Sequence, residues 1–186
     1  MLAFPPPVVP HIASVRAIVR RVALALAFTL LPIAATLAEG FTTRDLTTLE
    51  LDGSIVGGKN RYVLYRVAPE RATFACTDCP ELRVIDVTIL DGYPDIAARI
   101  RAGESVFEEI RTSCEAERSG CRIETIDVAP AEGRLWSWGG GTPGAIAMIA
   151  LDDDLLSVTS FAGDPAAAAA NAEAAVRNLV PRLVGR

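Results

Sequence analysis

Four cysteines constrain the folding of this chain more than any other feature. They fall at Cys76, Cys79, Cys114 and Cys121, all in the middle of the chain. In a cytosolic protein such cysteines would suggest metal binding or redox chemistry, whereas in an exported protein they indicate a disulfide framework. The role of the cysteines therefore depends on the compartment in which the protein works.

The beginning of the chain has the pattern of a secretory signal peptide. Three arginines precede an uncharged apolar stretch at residues 22–31, and small residues lead up to Ala38. We therefore predict a cleaved signal peptide over residues 1–38 and a single domain over residues 39–186. This pattern predicts a periplasmic or secreted protein.

An uncleaved membrane anchor is the alternative interpretation of the same segment. Residues 22–38 are nearly long enough to cross a bilayer, but a crossing helix needs roughly 20 residues, and Pro32 interrupts the stretch. We expect contact with a membrane only through this segment, and only if it is not cleaved.

Cleavage would also change the charge and the chemistry of the chain. Loss of Arg16, Arg20 and Arg21 would move the formal net charge from −5 to −8, and His11, the only histidine, would be lost with them. Histidine-dependent nucleophile arrangements and imidazole metal sites are thereby excluded. An acidic chain without a basic run also lacks the electrostatic footprint of a nucleic-acid partner. The expected partner is therefore another protein or a small molecule, with no metal ion and no cofactor.

The spacing of apolar residues predicts seven strands, a hairpin and two helices. Strands are predicted over residues 61–67, 72–76, 82–90, 122–128, 134–138, 145–151 and 155–161, and a short hairpin over residues 49–56. A central helix should begin at Pro94, with an apolar stripe that includes Phe107 and Ile110 and should face the sheet. Gly103 lies on that stripe and either allows close approach to a sheet or divides the helix in two. A closing helix should begin at Asp164-Pro165 and kink or stop at Pro181.

This order of elements predicts an α+β fold in which an antiparallel β-sheet is packed by a central and a C-terminal helix. The order is similar to that of PsbP-like exported domains, above all in the final hairpin followed by a packed helix. The resemblance implies a compact antiparallel sandwich and rests on element order alone.

For the disulfides we predict the pairs Cys76–Cys79 and Cys114–Cys121. Each pair is close in sequence and could form without a specific tertiary approach. A crossed bond such as Cys76–Cys114 would close a longer loop and stabilise the fold more by chain entropy, so the other two connectivities remain open.

The segment from Cys76 to Pro80 resembles the Cys-x-x-Cys-Pro sequence of some thiol oxidoreductases. In the thioredoxin family the first cysteine lies at a helix N-terminus, which favours its reactive thiolate. Here strand-like residues follow Pro80, and the Asp78 carboxylate would disfavour a neighbouring thiolate. We therefore interpret Cys76 and Cys79 as a structural disulfide, with a redox-active pair as the alternative. A zinc site from all four cysteines fits poorly, because the gap between Cys114 and Cys121 is too long for a close pair.

Two further segments are candidates for binding. Trp136 and Trp138 precede a glycine-rich loop at residues 139–144 and could contact a ligand, although the loop lacks the lysine and following helix of a phosphate site. The three aspartates at residues 152–154 are interpreted as a solvated hairpin turn and not as a calcium site. The sequence thus favours a non-enzymatic binding or accessory domain, and the alternative is a thiol-disulfide oxidoreductase.

We predict that the exported protein begins at Glu39. Intact-mass measurement of protein recovered from the periplasm or medium should give the mass of residues 39–186. A mass that includes Arg16 would show that the segment is retained.

Overall fold

The computed structural model describes residues 40–56, 61–81, 83–90, 94–102, 106–117 and 120–184, which belong to one compact unit, Ala38–Arg186. The predicted signal peptide lies outside the described residues. In the described part of the chain, no helix has both the length and the apolarity that crossing a membrane would require.

Seven strands form one antiparallel sheet, as predicted. They are β1 (Tyr62–Ala68), β2 (Arg71–Cys76), β3 (Val84–Leu90), β4 (Arg122–Val128), β5 (Ala131–Trp138), β6 (Gly144–Leu151) and β7 (Asp154–Phe161). Their order across the sheet is β1-β2-β3-β7-β6-β5-β4. Two meandering ribbons, β1 to β3 and β4 to β7, therefore meet where β3 pairs with β7, and β1 and β4 form the two edges.

The described residues form three α-helices: α1 (Pro94–Arg101), α2 (Val106–Glu117) and α3 (Pro165–Leu183). The central helix predicted as one element is thus two short helices, in line with the alternative in which Gly103 divides it. Gly103 itself, and the side chains of Phe107 and Ile110, lie outside the described residues, so their contact with the sheet stays a prediction. α1 and α2 carry the chain from β3 in the middle of the sheet to β4 at its edge.

The main core lies between α3 and one face of the sheet, which we call the α3 face. Alternate residues of each strand point to this face, as the strand period requires. The buried strand residues include Phe74, Ile85, Val87, Ala147, Ile149, Leu156 and Val158, and those of α3 include Ala168, Ala172, Val176, Leu179 and Leu183. On the opposite face, Ile96 of α1 packs with Leu90, Met148, Ala150 and Leu155.

The hairpin predicted over residues 49–56 is wrong. Two 3-10 turns, Leu46–Thr48 and Gly53–Ile55, occupy this region. The carboxylate of Asp52 accepts a hydrogen bond of 2.8 Å from the backbone N–H of Ser54 and so caps the second turn. Ile55 and Val56 are buried in the core instead of continuing a strand.

Of the predicted kink or stop at Pro181, the stop is wrong, because α3 continues through this residue to Leu183. A kink there stays a prediction. Tertiary contacts support this last turn. Leu183 is fully buried, and its carbonyl oxygen accepts hydrogen bonds of 2.7 Å from both the backbone N–H and the hydroxyl of Thr42.

The interpretation of all three aspartates as a solvated turn is wrong for Asp154. It is the first residue of β7 and only 3 % exposed. One carboxylate oxygen accepts a hydrogen bond of 2.7 Å from the backbone N–H of Phe41, and the other lies 2.7 Å from the guanidinium of Arg44. A Cβ atom at Gly40 would collide with this carboxylate and displace it from its present position. Asp154 therefore anchors the N-terminal segment of the domain to the sheet.

We predict that Asp154→Asn lowers the free energy of unfolding by about 2 kcal/mol, because the buried N–H of Phe41 loses a charged acceptor. Urea denaturation of the purified protein would measure the change. Asp127→Asn, at an exposed position of β4, should shift stability by less than about 0.5 kcal/mol. Equal stability of the two variants would contradict the anchoring role.

Candidate functional site

The larger of two recesses lined by described residues is a groove between the first half of α3, the beginning of β4 and the end of β5. Its volume is about 700 Å³. It is lined by Gly120, Arg122, Glu124, Leu135, Ser137, Gly139, Asp164, Pro165, Ala166, Ala169, Ala170 and Glu173. We call it the β4–α3 groove.

The groove exists because a single helix cannot cover the whole α3 face. α3 lies mainly over β5, β6 and β7, so the edge of the sheet at β4 extends beyond it. On the side toward the groove, the helix carries small side chains at Ala166, Ala169 and Ala170. The side chain of Leu135 gives the floor an apolar centre.

Charged side chains lie on both walls of the groove. Arg122 and Glu124 come from β4 and, two residues apart on one strand, point to the same face. Glu173 comes from α3, where its carboxylate lies 2.7 Å from the guanidinium of Arg177. Asp164 caps the helix by accepting a hydrogen bond of 2.8 Å from the N–H of Ala167. This arrangement can bind a polar or charged ligand that also contacts the apolar floor.

The disulfide Cys114–Cys121 holds one end of the groove. It joins α2 to the residue that precedes β4, with a Cα–Cα distance of 5.9 Å. Gly120 and Arg122, on either side of Cys121, both line the groove. The predicted pair Cys114–Cys121 is confirmed, and this bond links the end of α2 to the start of β4.

The disulfide Cys76–Cys79 is confirmed as well and lies at the opposite edge of the sheet, where β2 ends. The Asp78 carboxylate lies 3.2 Å from the sulfur of Cys76 and accepts a hydrogen bond of 2.9 Å from the backbone N–H of Arg61. Strand β3 follows this loop, so the cysteines do not lie at a helix N-terminus. The two sulfurs and Asp78 are grouped closely enough to hold a metal ion, but the sulfurs are bonded to each other and offer no thiolate.

Tyr62 lies opposite Cys76 in the pairing of β1 with β2 and faces the core. Its hydroxyl accepts a hydrogen bond of 3.0 Å from the side-chain amide of Asn171 in α3. Burial raises the pKa of Tyr62, and this effect outweighs the nearby charge of Arg83 and the Asn171 hydrogen bond, which act in the opposite direction. The neutral phenol is therefore part of the contact between β1 and α3.

The structure places Trp136 and Trp138 in the interior, with 4 % and 5 % exposure. The indole N–H of Trp138 donates a hydrogen bond of 3.0 Å to the carbonyl of Thr142, and its ring meets that of Phe161 edge-on at 6.3 Å. Gly144 lies beneath the indole, where a Cβ atom would collide with it. Trp138 thus holds the glycine-rich loop against the sheet. Ligand binding by the two tryptophans stays a prediction.

Sequence reasoning did not identify Glu124 or Glu173 and did not bring the residues of the β4–α3 groove together as a site. Gly139, from the glycine-rich loop, and the helix start at Asp164-Pro165 were noted separately. The groove residues come from β4, β5 and the start of α3, and β4 and β5 are far from α3 in the sequence. The sequence feature that could have indicated the groove is the run of alanines at the start of α3, because their small side chains leave space beside the helix.

Comparison with known proteins shows no family model, no curated protein and no solved structure that matches this chain.

From the raised pKa of Tyr62 we predict how the free energy of unfolding depends on pH. The unfolded phenol ionises near its ordinary pKa of 10.0, whereas the folded phenol stays neutral to higher pH. The resulting stabilisation is fully present below pH 10.0 and is lost as the pH rises through the folded pKa. The free energy of unfolding from urea titrations should therefore fall more steeply above that pH in the wild type than in Tyr62→Phe. Parallel curves for the two proteins would contradict the assignment.

Proposed function

We propose that this chain is an exported, disulfide-stabilised domain that binds a ligand in the β4–α3 groove and does not transform it. The observation that carries the proposal is the groove itself, in which charged side chains of β4 and α3 lie on both sides of an apolar floor. Its volume of about 700 Å³ falls within the roughly 300–1,000 Å³ common among ligand sites.

The disulfides support export. Stable disulfides persist in oxidising compartments, where the signal-like start of the chain would direct the protein. The described residues contain both pairs in the bonded form and no free cysteine.

The surroundings of Cys76 and Cys79 support a structural role for that pair. A catalytic disulfide relies on a stabilised thiolate, which a helix N-terminus or a nearby cation provides. Here Cys76 ends a strand, and the closest charged group among its described contacts is the Asp78 carboxylate. A negative charge at this distance opposes formation of the thiolate.

The alternative function, thiol-disulfide exchange through Cys76 and Cys79, can be tested directly. We expect both disulfides to survive incubation in a glutathione buffer at the redox poise of the periplasm or the endoplasmic reticulum, and the protein not to accelerate reduction of insulin by dithiothreitol. Thiol titration and insulin turbidity would provide the two measurements.

Matched double variants identify the responsible pair if activity is found. Insulin reduction that is lost in Cys76→Ser/Cys79→Ser and kept in Cys114→Ser/Cys121→Ser would overturn the proposal of a non-enzymatic domain.

A further inference from the structure

We propose that the ligand of the β4–α3 groove is an extended peptide with basic side chains, which pairs with the free edge of β4 as an eighth strand. This inference rests on the proposed function and names the ligand class of the same site. It follows from three observations: the edge position of β4, the recesses beside both of its ends, and the charge of their lining.

β4 is the last strand of the sheet, and within the described part of the chain it pairs only with β5. An edge strand presents a row of backbone N–H and C=O groups that can pair with another chain. Glu124, Thr125 and Asp127 are all exposed, so described neighbours do not cover this part of the strand. A peptide can therefore approach the edge and form main-chain hydrogen bonds, as in other cases of strand addition.

Recesses lie beside both ends of β4. The one at the end of the strand has a volume of about 210 Å³ and is lined by Asp127, Val128, Ala129, Arg177, Val180 and Pro181. The beginning of β4 lies beside the beginning of α3, and the end of β4 beside the end of α3, so the strand and the helix run in the same direction. The seven residues of β4 span about 23 Å. This shape fits an extended chain of similar length better than a compact small molecule.

The side chains that line the two recesses on the α3 face carry an excess of negative charge. They contain three carboxylates, from Glu124, Asp164 and Glu173, and two guanidinium groups, from Arg122 and Arg177, whereas Asp127 alternates to the opposite face of β4. The Arg177 guanidinium is already paired with Glu173. Because charges of one sign in a cleft attract the opposite charge, the groove favours lysine or arginine side chains on the bound strand.

Alternation along a strand decides which peptide residues enter the groove. Every second side chain of an added strand would point toward α3 and the others toward the opposite face of the sheet. A suitable ligand therefore carries basic residues at alternate positions, with β-branched residues between them that favour the extended conformation.

The test uses the purified exported protein and fluorescein-labelled heptapeptides of alternating lysine and valine, or glutamate and valine, read by fluorescence anisotropy. We expect the lysine peptide to bind at least tenfold more tightly than the glutamate peptide, with affinity that falls as salt is raised. Two N-methylated lysine peptides identify the main-chain contact: methylation of the alternate amides that face β4 should abolish binding, and methylation of the other set should not.

Protein variants locate the contact. Glu124→Gln/Glu173→Gln should weaken binding of the lysine peptide about tenfold, whereas the matched pair Glu50→Gln/Glu70→Gln, exposed and outside the groove lining, should leave it unchanged. Ala169→Trp should fill the groove and abolish binding, with the melting temperature as the check on folding.

Three results would overturn the inference: no binding of the lysine peptide, equal binding of the glutamate peptide, or equal tolerance of both methylation patterns. A dimer that dissociates on mutation of β4 and excludes the peptide would also overturn it, because the edge would then belong to a second copy. If the peptide tests fail and neither disulfide shows exchange activity, the proposal of a non-enzymatic binding domain stands, but its ligand is of another class. Insulin reduction through Cys76 and Cys79 would count against the proposed function whatever the peptides do.

Discussion

The antiparallel pairing of β3 with β7 is the interaction on which the rest of the structure depends. It joins Val84 to Phe161 at one end and Leu90 to Leu155 at the other, and so unites two ribbons that are separate in the sequence. Both strands are central, so all their backbone groups can pair within the sheet while residues such as Val87 and Val158 are buried beneath α3. Once β7 lies beside β3, the meander from β4 to β7 must place β4 at the far edge. The groove and the edge strand are consequences of that pairing.

The two disulfides lie at the periphery of this core and have different neighbours. Each closes a short loop, for which chain entropy predicts about 2 kcal/mol of stabilisation, so neither substitutes for the burial provided by the sheet and α3. Cys76–Cys79 closes a turn that is already held through Asp78 and Arg61. Cys114–Cys121 instead joins a helix to the edge strand that lines the groove. Of the two bonds, the second is the one that adjoins the proposed binding groove.

The N-terminal segment and the end of α3 stabilise each other across the sequence. Thr42 binds the carbonyl of Leu183, the side-chain amide of Asn178 donates 2.8 Å to the carbonyl of Ile55, and Asp154 binds the N–H of Phe41. These contacts cover the part of the α3 face opposite the groove, toward β1. Among the described residues, the part of that face left without such cover is the side toward β4, where the β4–α3 groove lies.

Local patterns in the sequence determined the seven strands of the sheet and the start of α3, and they favoured the two disulfide pairs that the structure shows. Strand periodicity is a property of neighbouring residues, Asp164 caps its own helix, and each cysteine pair closes a short turn. Only the tertiary structure decided the burial of Asp154, the continuation of α3 through Pro181 and the groove. Each of these depends on groups distant in the chain: Asp154 meets Phe41 at a separation of 113 residues. A local pattern cannot show whether a carboxylate will meet such a partner or water, because the free energy of burying it depends on the partner that folding brings to it.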